Sequence, residues 1–202
     1  KTVYALEGSI FNAGSAIDWL INNARLAVDV REINDFCDST PDSNGVCFVP
    51  AFSGLGAPRW DAYARGVLCG LDLSATSRHI VRAVMEAIAY QTKDVFDAME
   101  ADTGLPITKL RVDGGVTKSN FVMQFQSDIL NISVERPVNT ELTALGASYL
   151  AGLAVGYYKD LNEIAALVKN DVSFLPAMAS DKREKLYSNW LKAVERARAW
   201  VE

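Results

Sequence analysis

The chain has 202 residues, 50% hydrophobic and 22% charged, with a net charge of −5. That much apolar material excludes a disordered segment, and no apolar run reaches the roughly 20 residues that a bilayer span demands. A balance of 20 basic against 25 acidic residues argues against a nucleic-acid partner.

At ~150 residues per domain the length suggests little more than one domain, and residues 1–202 are read as one. The sequence opens at Lys1 on strand-like residues, without Met or signal peptide, as expected of a piece cut from something longer. Residues 3–6 read as a strand and 9–21 as a helix carrying Ile10, Phe11, Ala13, Ile17, Leu20 and Ile21. A helix expected over 28–36 runs into Asp38-Ser39-Thr40-Pro41-Asp42-Ser43-Asn44-Gly45, a dense turn signal. A short strand over 46–49 precedes an irregular stretch, 50–66, rich in Gly, Pro and aromatics, and 67–71 is another strand candidate. The longest helix is expected over 76–101. There Val81, Met85, Ile88, Val95 and Met99 share one stripe, and Arg82, Glu86, Lys93 and Asp97 another. Thr103-Gly104 closes it.

A strand over 107–112 leads into Asp113-Gly114-Gly115 and a helix over 118–130. A strand over 132–135 stops at Pro137, and helices over 141–155, 160–168 and 180–201 finish the chain. Strands separated by helices long enough for crossovers predict an α/β domain with a substantially parallel sheet.

The richest stretch is Arg111-Val112-Asp113-Gly114-Gly115, where a strand feeds a helix start. Ligands of open α/β sheets bind at the carboxyl ends of strands, and glycines let backbone approach them. Two readings stand: a ligand site, or a tight turn with Asp113 as local cap. A second glycine cluster, Gly8 to Gly14, holds neither a Walker loop nor a GxGxxG fingerprint, and by itself reads as close helix packing.

Other candidates carry less. Glu86 shares a stripe with Arg82 and reads as part of a solvated face. The lone His79 falls in the first turn of the long helix, an ordinary surface position. Asp113 as a general base has no partner in sequence. Trp60-Asp61 with Arg65 could line a cleft, though a loop aromatic more often covers its own domain. Leu186, Trp190, Val194, Ala197 and Val201 form a stripe that docks the last helix. Cys37, Cys47 and Cys69 form no CxxC pair, which leaves free thiols in a reducing cytoplasm and no metal site.

Taken together, several segments resemble the C-terminal, nucleotide-binding domain of the FGGY family of carbohydrate kinases. They are Tyr4-Ala5-Leu6-Glu7-Gly8, Phe48-Val49-Pro50-Ala51-Phe52-Ser53-Gly54-Leu55-Gly56-Ala57-Pro58, Ala89-Tyr90-Gln91-Thr92, Asp113-Gly114-Gly115 and Met123-Gln124-Phe125-Gln126. Gly70, His79, Ala83 and Glu86 fall at the patterned spots of the family's second signature. The Gly-Leu-Gly-Ala-Pro loop and Met-Gln-Phe-Gln run are similar to the branch that phosphorylates glycerol.

The resemblance implies a ribonuclease H-like (actin-like ATPase) domain lacking its first strands, because the hairpin that opens such domains would precede residue 1. It implies a cytoplasmic enzyme that passes the γ-phosphoryl of MgATP to glycerol, with ATP or ADP held by this half. The matching nucleotide positions are Gly14, Asp18, Gly115 and Ser119. Relatives often carry an amide where Asp18 stands and Asn where Ser119 stands. Catalytic residues, Mg2+ ligands and the glycerol contacts are expected in a preceding half, so the chain alone would be inactive and the strand over 3–6 would keep an unpaired edge. Relatives commonly associate, which implies a homo-oligomer. A pentulose or gluconate acceptor, or a catalytically silent nucleotide-binding module, are the alternatives.

Overall fold

A 27-residue helix is the beam against which most of the rest is laid. In the computed structural model, which describes residues 5–167 and 170–201, α1 (Gly14–Asp18) runs straight into a π-helical turn, Trp19–Asn23. Then come α2 (Val30–Ser39), β1 (Cys47–Val49), β2 (Val67–Cys69) and the long α3 (Ser77–Thr103). β3 (Lys109–Arg111), a 3₁₀ turn (Gly115–Lys118), α4 (Asn120–Leu130) and β4 (Ser133–Pro137) follow. The chain continues through α5 (Leu142–Ala154), α6 (Leu161–Leu167), β5 (Asn170–Phe174) and α7 (Ser180–Ala197). The expected strand over 3–6, with its unpaired edge, lies outside the described residues except for Ala5 and Leu6, which are exposed and in no strand.

Helix α3 forms where the apolar stripe predicted it, because both of its ends are specified. Thr76 caps it with His79, whose Nδ1 accepts from the Thr76 N–H at 3.0 Å, and Gly104 at φ 65° ends it. Val81, Val84, Met85 and Ile88 are buried in one core with Ile33 of α2 and Val122 of α4. Behind α3, a second core joins Tyr90 to Trp190, Val194 and Ala197 of α7, with the Tyr90 and Trp190 rings stacked at 5.4 Å. The last helix therefore docks as expected, but it ends at Ala197 and leaves Val201 exposed. One buried carboxylate secures that side. Asp94 pairs with Arg59 at 2.8 Å and accepts from Trp190 Nε1 at 2.8 Å and Tyr187 Oη at 2.6 Å.

The sheets depart from expectation. β1 and β2 pair antiparallel, with Cys47 opposite Cys69. β3 runs parallel to β4, and β4 antiparallel to β5, which the sequence had not suggested. Among the described residues β3 and β4 are thus the one parallel strand pair: residues 50–66 supply no helical crossover between β1 and β2, and β5 pairs antiparallel with β4 although α5 and α6 lie between them.

Glu86 corrects a second expectation. It is 3% exposed, not solvated. Arg82 Nε holds it at 2.8 Å, while the same guanidinium donates to the Cys37 carbonyl at 2.7 Å and to that of Thr40. Burial pushes the Glu86 carboxyl above its usual range, and the Arg82 charge pulls against that. The Arg82 guanidinium also lies 4.6 Å from the Phe121 ring centroid of α4, so one side chain ties α2, α3 and α4 together.

Candidate functional site

The three helices so tied converge on a cavity of about 350 Å3. Gly14 begins α1, and Asp18 follows one turn later on the same face. Gly115 begins the 3₁₀ turn, and Ser119 closes it as N-cap of α4. All four residues line this cavity, although Asp18 and Gly115 stand 97 positions apart in the sequence.

The two glycines of Asp113-Gly114-Gly115 have separate reasons. Gly114 sits at φ 85°, and its carbonyl accepts from the N–H and hydroxyl of Thr117 at 3.2 and 2.7 Å. Its glycine is demanded by the turn. Gly115 is not in the left-handed region, and a Cβ added to it would meet no atom within 4 Å. The same holds for Gly14. Neither backbone strain nor protein packing requires glycine at these two lining positions.

Ile17, Val30 and Met85 add an apolar lining from α1, α2 and α3, and Val116 joins them from the 3₁₀ turn. Asp18 and Lys118 are exposed on it, one of each charge. Ser119 is buried and its hydroxyl is engaged: it donates to Asn34 Oδ1 at 2.6 Å and accepts from the Val122 N–H at 3.4 Å. Apolar walls with a few convergent polar groups and bare backbone are the features that small-molecule clefts share. Sequence reasoning missed Ile17, Val30, Met85, Val116 and Lys118 as lining residues. Of these only Val116 and Lys118 carried a local signal, by standing between Gly115 and Ser119.

The remaining candidates fall elsewhere. Asp113 is exposed and outside the lining, as is buried Glu86. Trp60 is 73% exposed rather than packed on its own domain. Asp61 accepts from the backbone N–H groups of Ala199, Tyr63 and Ala64, which hold its carboxyl below the usual range. Arg65 donates to the carbonyls of Ala62 and Ala64, so this trio builds a loop rather than a cleft. The thiols are free, and burial pushes those of Cys37 and Cys47 up to about 12. Among the described residues no group of three or more His, Cys, Asp or Glu could hold a metal ion, and no helix is long and apolar enough to cross a membrane.

The profile of the C-terminal domain of the FGGY family of carbohydrate kinases matches residues 1–155. Glycerol kinase 2 of Thermotoga maritima is 54% identical over 200 residues, covering 99% of this chain and 40% of its own length. The glycerol kinase of Petrotoga mobilis is 54% identical over 202 residues, covering 100% of this chain and 41% of its own. Among solved structures, Plasmodium falciparum glycerol kinase with ADP superposes with a TM-score of 0.84 at 42% identity, over 91% of this chain and 37% of its own. Ligand-bound xylulose kinase from Lactobacillus acidophilus gives 0.76 at 27%, over 90% and 37%. The chain therefore spans about two fifths of the length of the curated relatives it matches, and its fold is the actin-like ATPase fold of these kinases.

Proposed function

From the premise that the chain belongs to the FGGY family of carbohydrate kinases, we propose that it is the nucleotide-holding part of a glycerol kinase, which makes glycerol 3-phosphate from glycerol and MgATP. The observation that carries this reading is the pair Gly14 and Gly115, bare backbone with open space beside it, both lining one cavity. Two glycines that the fold does not need are accounted for by a ligand lying against them. The solved glycerol kinase relative with ADP supports a nucleoside diphosphate as that ligand.

The residues suit the division of such a ligand. Ile17, Val30 and Met85 offer an apolar seat for the base. Asp18 accepts from a sugar hydroxyl or an amino group and disfavours a phosphate near it, while Lys118 draws the phosphates the other way. Among the described residues no group of carboxylates would hold the magnesium that neutralises the phosphates when bound, so that ion, the glycerol and the group accepting its hydroxyl proton would rest on residues other than these. Among solved structures, xylulose and gluconate kinases share the fold at 27% and 28% identity, against 42% for the glycerol kinase, which favours glycerol as acceptor.

The test uses the full-length enzyme. Gly115→Ala and Gly14→Ala each raise the KM for ATP about tenfold, a loss of about 1.4 kcal/mol, by placing a methyl group where the ligand lies. Their denaturation midpoints stay within about 0.5 kcal/mol of the parent, since the added carbon meets no protein atom. An unchanged KM for ATP in both variants sinks the assignment of this cavity. Preference for xylulose or gluconate over glycerol sinks the acceptor.

A further inference from the structure

The bond between Ser119 and Asn34 bears on how this cavity keeps its shape. Ser119 is 5% exposed and stands at a junction: it ends the 3₁₀ turn that carries Gly115, Val116 and Lys118, and it starts α4. An N-cap serine needs only to accept from the helix N–H groups. Here that bond, from Val122, is long at 3.4 Å, and the short bond is the lateral one, 2.6 Å to Asn34 Oδ1 across 85 residues of sequence. Asn34 sits in the middle of α2, one turn after Val30 and on the same face. Val30 lines the same cavity. Among the described residues the Asn34 side chain makes no other hydrogen bond.

We propose that Asn34 is a positioning residue of the nucleotide pocket, latching α2 to the 115–118 turn through the Ser119 hydroxyl and so setting the gap between Val30 and Gly115. This rests on the reading of the cavity as a nucleotide site. The Arg82 contacts already fix the far end of α2, at Cys37 and Thr40. The latch acts at the middle of α2, one turn from Val30 and the cavity. Without it the end of α2 that bears Val30 can move relative to the turn while the core around Ile33 stays packed.

The experiment is a double-mutant cycle in the full-length enzyme, with ATP and glycerol varied separately. Asn34→Ala and Asn34→Leu each raise the KM for ATP three- to tenfold, with kcat and the KM for glycerol within twofold of the parent, and Ser119→Ala, at a lining residue, raises the KM for ATP at least as much. Asn34→Leu keeps most of the volume and loses the acceptor, so it separates the bond from packing. The double variant Asn34→Ala with Ser119→Ala is no worse than Ser119→Ala alone, because the bond that Asn34 makes is already gone. Additive losses, a parent-like Asn34→Leu, or a fall in kcat together with both KM values overturns the latch. A parent enzyme that shows no ATP dependence or ADP inhibition overturns the nucleotide reading and this inference with it, whereas an intact parent with additive variants overturns the latch alone.

Discussion

Helices α3 and α5 are both rich in apolar residues, yet α3 buries eleven side chains and α5 buries none. In α3 the apolar residues repeat at helical spacing, and two faces are met: one by α2 and α4, the other by α7. In α5 apolar residues occur almost all the way round, as in a helix that fills an interior. Leu150 nevertheless stands 64% exposed, and Leu142, Leu145 and Tyr149 line an open cavity of about 590 Å3 with Ala166 and Leu167 of α6. The contrast separates two quantities that composition merges. Apolar content says how much a helix can bury; the surfaces that the described residues bring to it decide how much it does bury.

Four perturbations test whether that contrast is one of energy as well as of area. The largest effect belongs to Arg82→Ala, which strands a buried carboxylate and leaves the carbonyls of Cys37 and Thr40 without their donor. Unfolding free energy should drop by about 3–5 kcal/mol in a urea titration. A loss near 0.5 kcal/mol would mean that the α2–α3 junction holds without this group. Next, Ile88→Ala, at a position 3% exposed, should cost about 3 kcal/mol through lost burial and the cavity left behind.

The third perturbation is pH. Cys37 and Cys47 lie against α3 and keep their protons up to about 12, whereas an unfolded thiol loses its proton near 9.0. The native state therefore binds more protons across that window. Their contribution is intact below about 9 and is lost as pH rises towards 12. Urea midpoints should fall over that range and recover in a Cys37→Ala, Cys47→Ala variant relative to its own value at pH 8. Flat midpoints would rule this out. Smallest of all, Leu150→Ala on α5 should change stability of the chain by less than about 0.5 kcal/mol. A cost comparable to that of Ile88→Ala would show that α5 finds cover in solution.

What the sequence revealed and what it concealed divide along a physical line. The α3 stripe, the Thr76 and Gly104 ends and the docked face of Trp190, Val194 and Ala197 were legible because each depends on spacing within one element. Glu86 was misread because an i, i+4 pair with Arg82 looks the same in sequence whether it faces water or α2. β5 escaped notice because Asn170–Phe174 is short and draws its order from pairing with β4. In the cavity, Gly14, Asp18, Gly115 and Ser119 were picked out by the family resemblance, and the structure brings them together. Ile17, Val30 and Met85 could not be chosen beforehand. Nothing local distinguishes them from other core side chains, and only the crossing of three helices turns them to one space.

The π-helical turn after α1 has a consequence for how this wall tolerates change. From Trp19 to Asn23 the ladder runs wide, with the Ala24 N–H reaching back to the Trp19 carbonyl at 2.8 Å. Such a turn amounts to one residue inserted into an α-helix, which shifts the rotational phase of what lies beyond by about 100°. Before the turn, Gly14 and Asp18 face the cavity. Within it, Trp19 stacks on Phe48 at 5.1 Å and Leu20 is fully buried. Deleting a single residue between 20 and 23 would therefore act as a rotation rather than a truncation: with the chain beyond the turn held by the burial of Ala27, Gly14 and Asp18 would swing away from Gly115 with no atom of either removed.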